Sequence, residues 1–517
     1  MPVRTIDLKL LLLPALSGLL GFASLPVVGQ AYLAWIAQVP LILFVLRSQS
    51  ARQAFFGGVV AGFVQSSLLL AWIPAVLVHY GNLPAVLAWF LFVLLMIALA
   101  LYPGLACAVT GISVRRAGRV LVLFFPFVWV TTELLRSYTP FGGFPWMLAG
   151  YSQTDNLRVI QISDVTGVYG ISFVILCCNV GIAWLIDRGA RYARNYLPAL
   201  GAAGLLAVCL AYGDQSIRRW EGFAPRHTAA LLQGNISADD PDNAMRYKFG
   251  KGYSVMAAGI KDPGLDLLVL PESPAPMSFQ SDAEYRQLLQ DLAHRYQLGI
   301  VFSNVAFSET PGDQRYFNSA YFLGQDGSLR GRYDKIHLVP FGEYVPLKSM
   351  FFFMQSITQE VSDFSPGSGF LVVDTPVGRM SAIICFEAVF PELTRKFAAR
   401  GSQLIINLTN DGWYGDSAAP YQHLAMARWR AVENRRYLLR AANSGISAIV
   451  DPSGKVLTST RLLHQDTCLG RFDFISCQSF YTRRGDLAAA LCAIICCLTL
   501  AWSCIRSRLS VGRRGPG

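Results

Sequence analysis

Three side chains that could serve one reaction each stand at or near the end of an apolar run. Glu272 comes shortly after the run Leu267–Leu270, Cys385 directly after the run Ser381–Ile384, and Lys335 within the segment 333–343. In open α/β sheets, reactive groups gather beyond the carboxyl ends of the strands. The carboxylate could take the thiol proton as a general base, and the lysine could stabilise an oxyanion and lower the pKa of the thiol. The combination predicts a nucleophilic cysteine site.

Each of these side chains also has an ordinary structural interpretation. Free cysteines are often buried like small apolar residues, a glutamate after a strand is commonly a loop carboxylate, and most lysines are solvated. Taken alone, Cys385 is more readily explained as a core thiol than as a nucleophile. The structural interpretation is less convincing for the three residues together, and it stays open at this point.

The segments that would position these residues form a block of ordinary soluble composition, about Gly213–Gly485. The predicted strands in this block are Thr228–Leu232, Leu267–Leu270, Gly299–Phe302, Ala320–Leu323, Leu371–Val373, Ser381–Ile384, Leu404–Asn407 and Ser447–Val450. The predicted helices include Ala283–Tyr296, Glu392–Arg400 and Gln422–Ala441. A βαβ unit, a strand-rich middle and a βαβαβ unit follow one another, and this order predicts an α/β layered-sheet domain.

The rest of the chain is strongly apolar. Its 517 residues are 53% hydrophobic and only 15% charged, with a mean hydropathy of +0.39, whereas soluble proteins carry roughly 25% charged residues. A helix needs about 20 apolar residues to cross a bilayer. The candidate spans are Leu8–Val27, Ala31–Leu46, Ala54–Val78, Leu83–Tyr102, Val120–Leu135, Val168–Ile186, Leu197–Tyr212 and Leu487–Ile505.

These runs predict three parts of the chain. Residues 1–212 would hold seven transmembrane helices, with Pro103 kinking or ending the fourth. Residues 213–485 would form the α/β domain, and residues 486–517 the final transmembrane helix and a basic tail.

Basic residues in the loops predict the orientation in the membrane. The net charge is +11, and every second loop is rich in arginine or lysine. The basic segments contain Arg4 and Lys9, then Arg47 and Arg52, then Arg115, Arg116 and Arg119, then Arg188, Arg191 and Arg194, and finally Arg506, Arg508, Arg513 and Arg514. The positive-inside rule assigns such loops to the cytoplasm, so both termini would be cytoplasmic and the α/β domain extracytoplasmic. This topology explains the positive charge better than a nucleic-acid partner does.

The segments around the three reactive residues resemble the signatures of the nitrilase superfamily. They are Leu-Pro-Glu272-Ser, Tyr-Asp-Lys335-Ile-His-Leu-Val-Pro-Phe-Gly-Glu343 and Ile-Cys385-Phe-Glu387. That superfamily carries a Glu-Lys-Cys triad on an αββα sandwich. A nitrilase-like domain between seven spans and a final one is similar to its membrane-embedded branch, the apolipoprotein N-acyltransferases. Further matches along nearly the whole chain are Gln233-Gly234-Asn235, Asn410–Asp416, Gln422-His423 and Tyr481–Asp486.

This resemblance implies a two-step acyl transfer in the bacterial plasma (inner) membrane, without metal or cofactor. Cys385 would attack the sn-1 ester of a phospholipid, with Glu272 as base and Lys335 stabilising the oxyanion, to form a thioester. The N-terminal amine of a diacylglyceryl-cysteine in an apolipoprotein would then take the acyl chain, as the last step of bacterial lipoprotein maturation. Glu343 would position Lys335, and Glu387 would shape the site beside the nucleophile.

A second group of residues is expected to line the substrate site. It consists of Phe341, Tyr344, Phe352, Trp413, Tyr414 and Trp146. Phe352 lies in the segment Pro346–Met354, which fits a buried helix and a mobile lid over acyl chains equally well. The loop Phe141–Trp146 is explained more readily as an interfacial anchor than as a lipid portal. His337 and His423 are expected to be structural hydrogen-bonding residues.

Two other functions stay open at the level of the sequence. A membrane-tethered amidase of the nitrilase type would hydrolyse a small amide or nitrile, but would have no need of eight candidate spans. A non-enzymatic scaffold would tolerate the substitution Cys385→Ala, and a transporter is disfavoured because the spans contain few charges. No Cys-x-x-Cys motif with histidine partners predicts a zinc site. Cys468 and Cys477 could pair in an oxidising compartment.

Overall fold

The chain divides into two units. The structure is a computed structural model that describes residues 11–237, 240–260, 262, 264–272, 276–308, 310, 313, 315–344 and 364–512. The helical unit contains the described residues up to 75, residues 84–217 and the chain from 484 onwards, and the α/β unit contains residues 76–83 and 218–483.

The described chain contains sixteen α-helices. The α-helices are α1 (Leu12–Ser24), α2 (Val39–Arg47), α3 (Ala51–Leu69), α4 (Ile73–His79), α5 (Ala85–Ala117), α6 (Phe125–Tyr138), α7 (Leu157–Ile160), α8 (Ser163–Arg188), α9 (Leu197–Glu221), α10 (Asp242–Tyr247), α11 (Tyr253–Ala258), α12 (Ala283–Tyr296), α13 (Pro391–Ala399), α14 (Ala419–Asn434), α15 (Phe480–Arg484) and α16 (Leu487–Gly512).

All eight apolar runs form helices, but they differ in length. In the described part of the chain, five helices are long and apolar enough to cross a membrane: Ala85–Ala117, Arg119–Tyr138, Ser163–Arg188, Ala193–Glu221 and Leu487–Arg506. The pair Ala51–Leu69 and Ile73–His79, bent by 52°, makes a sixth if it is one span. The first two runs form the shorter apolar helices Leu12–Ser24 and Ala31–Arg47.

The helix α5 continues through Pro103 to Ala117, so the expectation that the helix ends at this proline is wrong. A proline removes one backbone hydrogen bond, and packing can compensate for that loss. Here α3 lies very close to α5. A methyl group added to Gly58 would come within 2.3 Å of the Pro103 carbonyl oxygen, so only glycine fits at this position. Small residues at helix contacts permit this approach in apolar surroundings.

The α/β unit contains two six-stranded sheets, which confirms the predicted fold class. The strands are β1 (His227–Gln233), β2 (Leu265–Val269), β3 (Gly299–Phe307), β4 (Tyr316–Leu323), β5 (Leu329–Asp334), β6 (Val373–Thr375), β7 (Gly378–Ile384), β8 (Leu404–Thr409), β9 (Tyr437–Ala442), β10 (Ala448–Val450), β11 (Val456–Ser459) and β12 (Asp466–Phe472). One sheet has the order β12-β1-β2-β3-β4-β5, and the other β11-β10-β9-β8-β7-β6.

Strand direction brings the reactive segments to equivalent ends of the sheets. In the first sheet β2 and β3 are parallel, and β4 is antiparallel to both β3 and β5, so β5 runs in the direction of β2. Glu272 follows β2 and Lys335 follows β5, and both therefore lie at the same edge. In the second sheet the central strands β7, β8 and β9 are parallel, and Cys385 follows β7.

Layers of helices cover the outer faces of the sheets. On the first sheet, Tyr285 and Leu289 of α12 join one buried cluster with Leu268 and Ile300 of the central strands. Strands buried on both faces read as continuous apolar runs rather than alternating ones. This explains why the central strands were recognisable in the sequence.

In the α/β unit one predicted helix is too long, and a cysteine pairing that the sequence leaves open is not formed. The predicted helix Gln422–Ala441 is wrong in its second half, because α14 ends at Asn434 and the chain continues as β9. Arg435 adopts a left-handed backbone with φ 52° at this point, where a C-terminal glycine would have been the usual signal. Cys468 and Cys477 are both free, so the disulfide considered above is not formed in the described chain.

Candidate active site

Glu272 is fixed by hydrogen bonds from two asparagines. Its Oε1 accepts a hydrogen bond of 2.7 Å from Asn318 Nδ2, and its Oε2 accepts one of 2.9 Å from the backbone N–H of Asn410. Burial raises the pKa of Glu272, while the nearby Lys335 lowers it and Glu343 raises it further. The net effect is an upward shift, which makes this carboxylate a stronger base than one in water.

Lys335 lies between two carboxylates and is only 1% exposed. Its Nζ is 2.9 Å from Glu343 Oε1 and 3.8 Å from Glu272 Oε1. Burial alone would lower the pKa of Lys335, but the charges of Glu343 and Glu272 outweigh it and raise the pKa above the usual value. The side chain is therefore a permanent ammonium, suited to stabilise a negative charge that develops on a substrate.

Cys385 stands at a sharp turn between β7 and the 3₁₀ helix Cys385–Val389. Its φ of 49° lies in the left-handed region, which costs a non-glycine residue about 1–2 kcal/mol. Such a cost is common at functional sites, where the surrounding structure holds one strained residue in place. Burial and the charge of Glu272 raise the pKa of the Cys385 thiol, and Lys335 lowers it. The resting group is thus a thiol that needs a base.

Glu343 holds the lysine segment together. Its Oε1 accepts hydrogen bonds from Lys335 Nζ at 2.9 Å and from Asn318 Nδ2 at 2.9 Å, and its Oε2 accepts one from the Val339 N–H at 2.9 Å. Asn318 on β4 thus contacts both carboxylates of the site. Asn318 could not be recognised from the sequence, because a polar residue inside a strand carries no motif of its own. Its pairing with Glu272 follows from the fold alone.

Glu387 connects the cysteine turn to the lysine segment, although its carboxylate is fully buried. Its Oε2 accepts a hydrogen bond of 2.8 Å from the Ile384 N–H, directly before the cysteine. Its Oε1 accepts hydrogen bonds from the Ile336 N–H at 2.8 Å, the His337 N–H at 3.0 Å and the Tyr333 hydroxyl at 2.8 Å. Glu387 therefore fixes the position of one reactive segment relative to the other.

The expected substrate-lining residues differ in their surroundings. Trp413 is 36% exposed and belongs to the 3₁₀ helix Asp411–Tyr414 after β8, and its ring packs edge-on against Tyr80 with centroids 5.0 Å apart. Burial raises the pKa of Tyr414, and the neighbouring Cys385 contributes to this shift. Trp413 is thus partly open to solvent and Tyr414 lies near the nucleophile, and their contact with a substrate stays a prediction.

Phe341, Tyr344, Phe352 and Trp146 complete that group. Phe341 is 37% exposed, and its backbone N–H donates to the Tyr344 carbonyl at 2.8 Å, close to Glu343 in the lysine segment. Phe352 lies outside the described residues, as does the segment Pro346–Met354. Trp146 is 2% exposed in the helical unit, where it packs on Trp72 and Phe144, and its substrate-lining role stays a prediction.

Comparison with known proteins identifies the family of the chain. The sequence profile of the apolipoprotein N-acyltransferase N-terminal domain matches residues 17–181, and that of carbon-nitrogen hydrolases matches residues 228–481. The apolipoprotein N-acyltransferase of Geobacter metallireducens is 40% identical over 93% of this chain and 92% of its own length. That of Methylococcus capsulatus is 34% identical over 94% of this chain and 95% of its own length.

Among the solved structures similar to this chain is that of Saccharomyces cerevisiae Nit3, a member of branch 10 of the nitrilase superfamily. It is 23% identical, covers 48% of this chain and 91% of its own, and superposes with a TM-score of 0.38. The apolar helices are those of a membrane protein. The relatives cover almost the entire chain, with both domains matched in order. The chain is therefore an enzyme, and it belongs to the apolipoprotein N-acyltransferase family.

Proposed function

We propose that this chain transfers the sn-1 acyl chain of a phospholipid to the N-terminal amine of diacylglyceryl-cysteine in apolipoproteins. The observation that carries the proposal is that Glu272 and Lys335 lie together near the turn that holds Cys385. Asn318 and Glu343 link the first two of these side chains to each other. The names of the relatives support an apolipoprotein acceptor and acyl transfer. A phospholipid donor fits a chain with several apolar helices.

In the first half-reaction, Cys385 Sγ attacks the ester carbonyl carbon while its proton passes to Glu272. The carbonyl oxygen becomes an oxyanion, which the ammonium of Lys335 stabilises. When the intermediate collapses, the bond to the glycerol oxygen breaks and Glu272 returns the proton to that oxygen. Lysophospholipid leaves, and the acyl chain remains as a thioester, which splits one difficult transfer into two easier steps.

In the second half-reaction, the unprotonated amine of the lipoprotein attacks the thioester carbonyl carbon. Glu272 takes a proton from the attacking nitrogen, and Lys335 again stabilises the oxyanion. The carbon–sulfur bond then breaks, the amide is released, and the Cys385 thiolate recovers the proton from Glu272. The cycle needs no other reactant.

The orientation forms part of the proposal. Alternating basic loops support cytoplasmic termini and an extracytoplasmic α/β unit in a bacterial plasma membrane. Native cysteines provide the test, since Cys477 is exposed in the α/β unit and Cys504 is exposed near the end of α16. In spheroplasts, a membrane-impermeant maleimide should label Cys477 and leave Cys504 unlabelled until the cells are lysed. The reverse pattern would overturn the orientation.

The central experiment follows a labelled acyl chain. Purified chain is incubated with a phospholipid carrying an isotope-labelled sn-1 chain, with and without a diacylated lipopeptide. Without lipopeptide, mass spectrometry should find the labelled chain on the peptide containing Cys385. With lipopeptide, the label should move to the lipopeptide amine.

Two cysteine variants control this experiment. Cys385→Ala should abolish the adduct and the product, whereas Cys468→Ala, which removes another buried thiol of the α/β unit, should leave both unchanged. Product formation by folded Cys385→Ala protein would refute the proposed role of the thiol. Release of free labelled fatty acid, with no transfer to the lipopeptide, would favour a hydrolase instead.

A further inference from the structure

A cluster of buried polar side chains lies behind the cysteine turn and takes no part in the reaction steps above. It consists of Asp411, at the start of the 3₁₀ helix after β8, His423 on α14 and Arg440 on β9. All three side chains have an exposed fraction of 0%. Buried charges are costly unless they are paired, so a cluster of this kind requires an explanation.

One member of the cluster contacts the backbone of the nucleophilic residue. His423 Nε2 lies 3.1 Å from the backbone carbonyl oxygen of Cys385. A carbonyl oxygen can only accept, so the Nε2 atom must carry a proton and donate it to this bond. The bond joins the side chain of α14 to the one residue of the turn that has a left-handed backbone.

The Nδ1 side of the imidazole ring faces the carboxylate of Asp411 and the guanidinium of Arg440, which are themselves paired. His423 Nδ1 lies 2.9 Å from Asp411 Oδ1 and 3.2 Å from Arg440 Nη2. Arg440 Nη2 also donates to Asp411 Oδ2 at 2.6 Å, and its Nη1 donates to Asn407 Oδ1. Burial raises the pKa of Asp411, but Arg440 and His423 outweigh it and lower the pKa to about 2, so this carboxyl is an anion. The ring is therefore fixed on both edges.

We propose that His423 is a positioning residue for the nucleophile, and that Asp411 and Arg440 hold its ring in place. Glu387 fixes the N–H of Ile384 before the cysteine, and His423 fixes the carbonyl of Cys385 itself. The bond from His423 fixes the peptide plane directly after the Cys385 α-carbon, and the bond to Glu387 fixes the peptide plane one residue before the plane that precedes it, so together they restrict the direction in which Sγ points. A shift of about 1 Å in a reacting atom can cost about a hundredfold in rate.

This inference rests on the proposed role of Cys385, and it differs from a purely structural role in what it predicts. A structural cluster would affect folding through all its contacts alike. A positioning role depends on the Nε2 donor, because that atom hydrogen-bonds to the carbonyl of the nucleophilic residue. The amide nitrogen of a glutamine reaches roughly the place of Nε2, whereas the shorter asparagine reaches only the place of Nδ1.

The test compares the variants His423→Gln and His423→Asn in the full-length chain. The readouts are the rate of acyl-enzyme formation in a single turnover, the rate at which a small haloacetamide alkylates Cys385, and the thermal unfolding midpoint. We expect His423→Asn to slow acyl-enzyme formation by about tenfold or more, with His423→Gln restoring most of the rate at a similar unfolding midpoint. The variant His464→Asn, at an exposed histidine of the same unit, should behave like the wild type.

Equal rates for the two His423 variants, whether both normal or both reduced in proportion to stability, would overturn the inference. If His423→Asn does not fold, Asp411→Asn tests the same path, because the ring then loses its anionic partner. A normal rate of acyl-enzyme formation in Asp411→Asn would also contradict the positioning role. Activity in Cys385→Ala would instead refute the proposed function, so the two failures are distinguishable.

Discussion

The substitution Glu387→Gln tests whether a buried carboxylate positions the turn that carries Cys385. The carboxylate of Glu387 is fully buried and accepts hydrogen bonds from four donors. They are the Tyr333 hydroxyl and the N–H groups of Ile336 and His337 at Oε1, and the N–H of Ile384 at Oε2. Glutamine keeps the shape but exchanges one acceptor oxygen for an NH₂ group, so at least one donor meets another donor.

The magnitude follows from the number of bonds affected. In the better orientation the amide oxygen keeps its three donors, and the NH₂ group faces the Ile384 N–H across 2.8 Å. A lost hydrogen bond to a charged group costs about 1.5–3 kcal/mol, and a buried donor left unpaired costs about 1–3 kcal/mol. The two costs sum to about 2.5–6 kcal/mol, and they fall on the turn that carries Cys385. If this free energy is lost in the transition state, acyl-enzyme formation slows by about 10²–10⁴-fold.

The assay measures the rate of thioester formation on Cys385 by mass spectrometry, alongside the thermal unfolding midpoint. Glu392→Gln is the matched control, because Glu392 lies on α13 in the same unit and its side chain is 23% exposed. We expect the control to react at the wild-type rate. Folded Glu387→Gln protein that forms the thioester at that same rate would refute the reasoning, since the turn would then not depend on this carboxylate.

Two further predictions concern the surroundings of Lys335. Asn318→Asp should reduce the rate of acyl-enzyme formation by about a hundredfold, since a third carboxylate would replace the amide that donates to Glu272 and Glu343. Single-turnover kinetics would measure this rate, and an unchanged rate would contradict the prediction. Burial and the charge of Lys335 lower the pKa of His337 to about 4, against about 6.5 in an unfolded chain. Between about pH 4 and pH 6.5 the unfolded state therefore binds more protons than the folded state. The contribution of His337 to the free energy of unfolding is fully present above about pH 6.5, and about 3 kcal/mol of it is lost as the pH falls to 4. His337→Phe should flatten the decline of the unfolding midpoint between pH 7 and pH 5, and an unaltered slope would contradict the assignment.

The sequence predicted the central part of the fold because the physical signal there is strong. Strands buried on both faces are continuous apolar runs, and Glu272 and Cys385 follow two such strands. The α/β fold and the family are confirmed. The catalytic roles of Glu272, Lys335 and Cys385 stay predictions, which the geometry supports by bringing their segments together.

Other parts could not be predicted, for reasons that lie in individual residues. The strand β5 reads Leu-Arg-Gly-Arg-Tyr-Asp, and its edge position allows charged side chains that hide the strand pattern. The end of α14 has no glycine, because Arg435 itself takes the left-handed conformation. Asn318 and Arg440 acquire their partners through contacts distant in sequence, and only the folded chain brings them together.

The arrangement of charges around Lys335 explains why a fourth residue accompanies the three reactive ones. Burial raises the pKa of both the Cys385 thiol and the Glu272 carboxyl, so the donor and the acceptor of the proton are shifted in the same direction. When the proton passes from Sγ to Glu272, the negative charge moves from the carboxylate to the sulfur, and the net charge of the site does not change. Glu272 becomes neutral in this step and ceases to balance the ammonium. Glu343, at 2.9 Å from Lys335 Nζ compared with 3.8 Å for Glu272, remains as its counter-charge throughout the cycle.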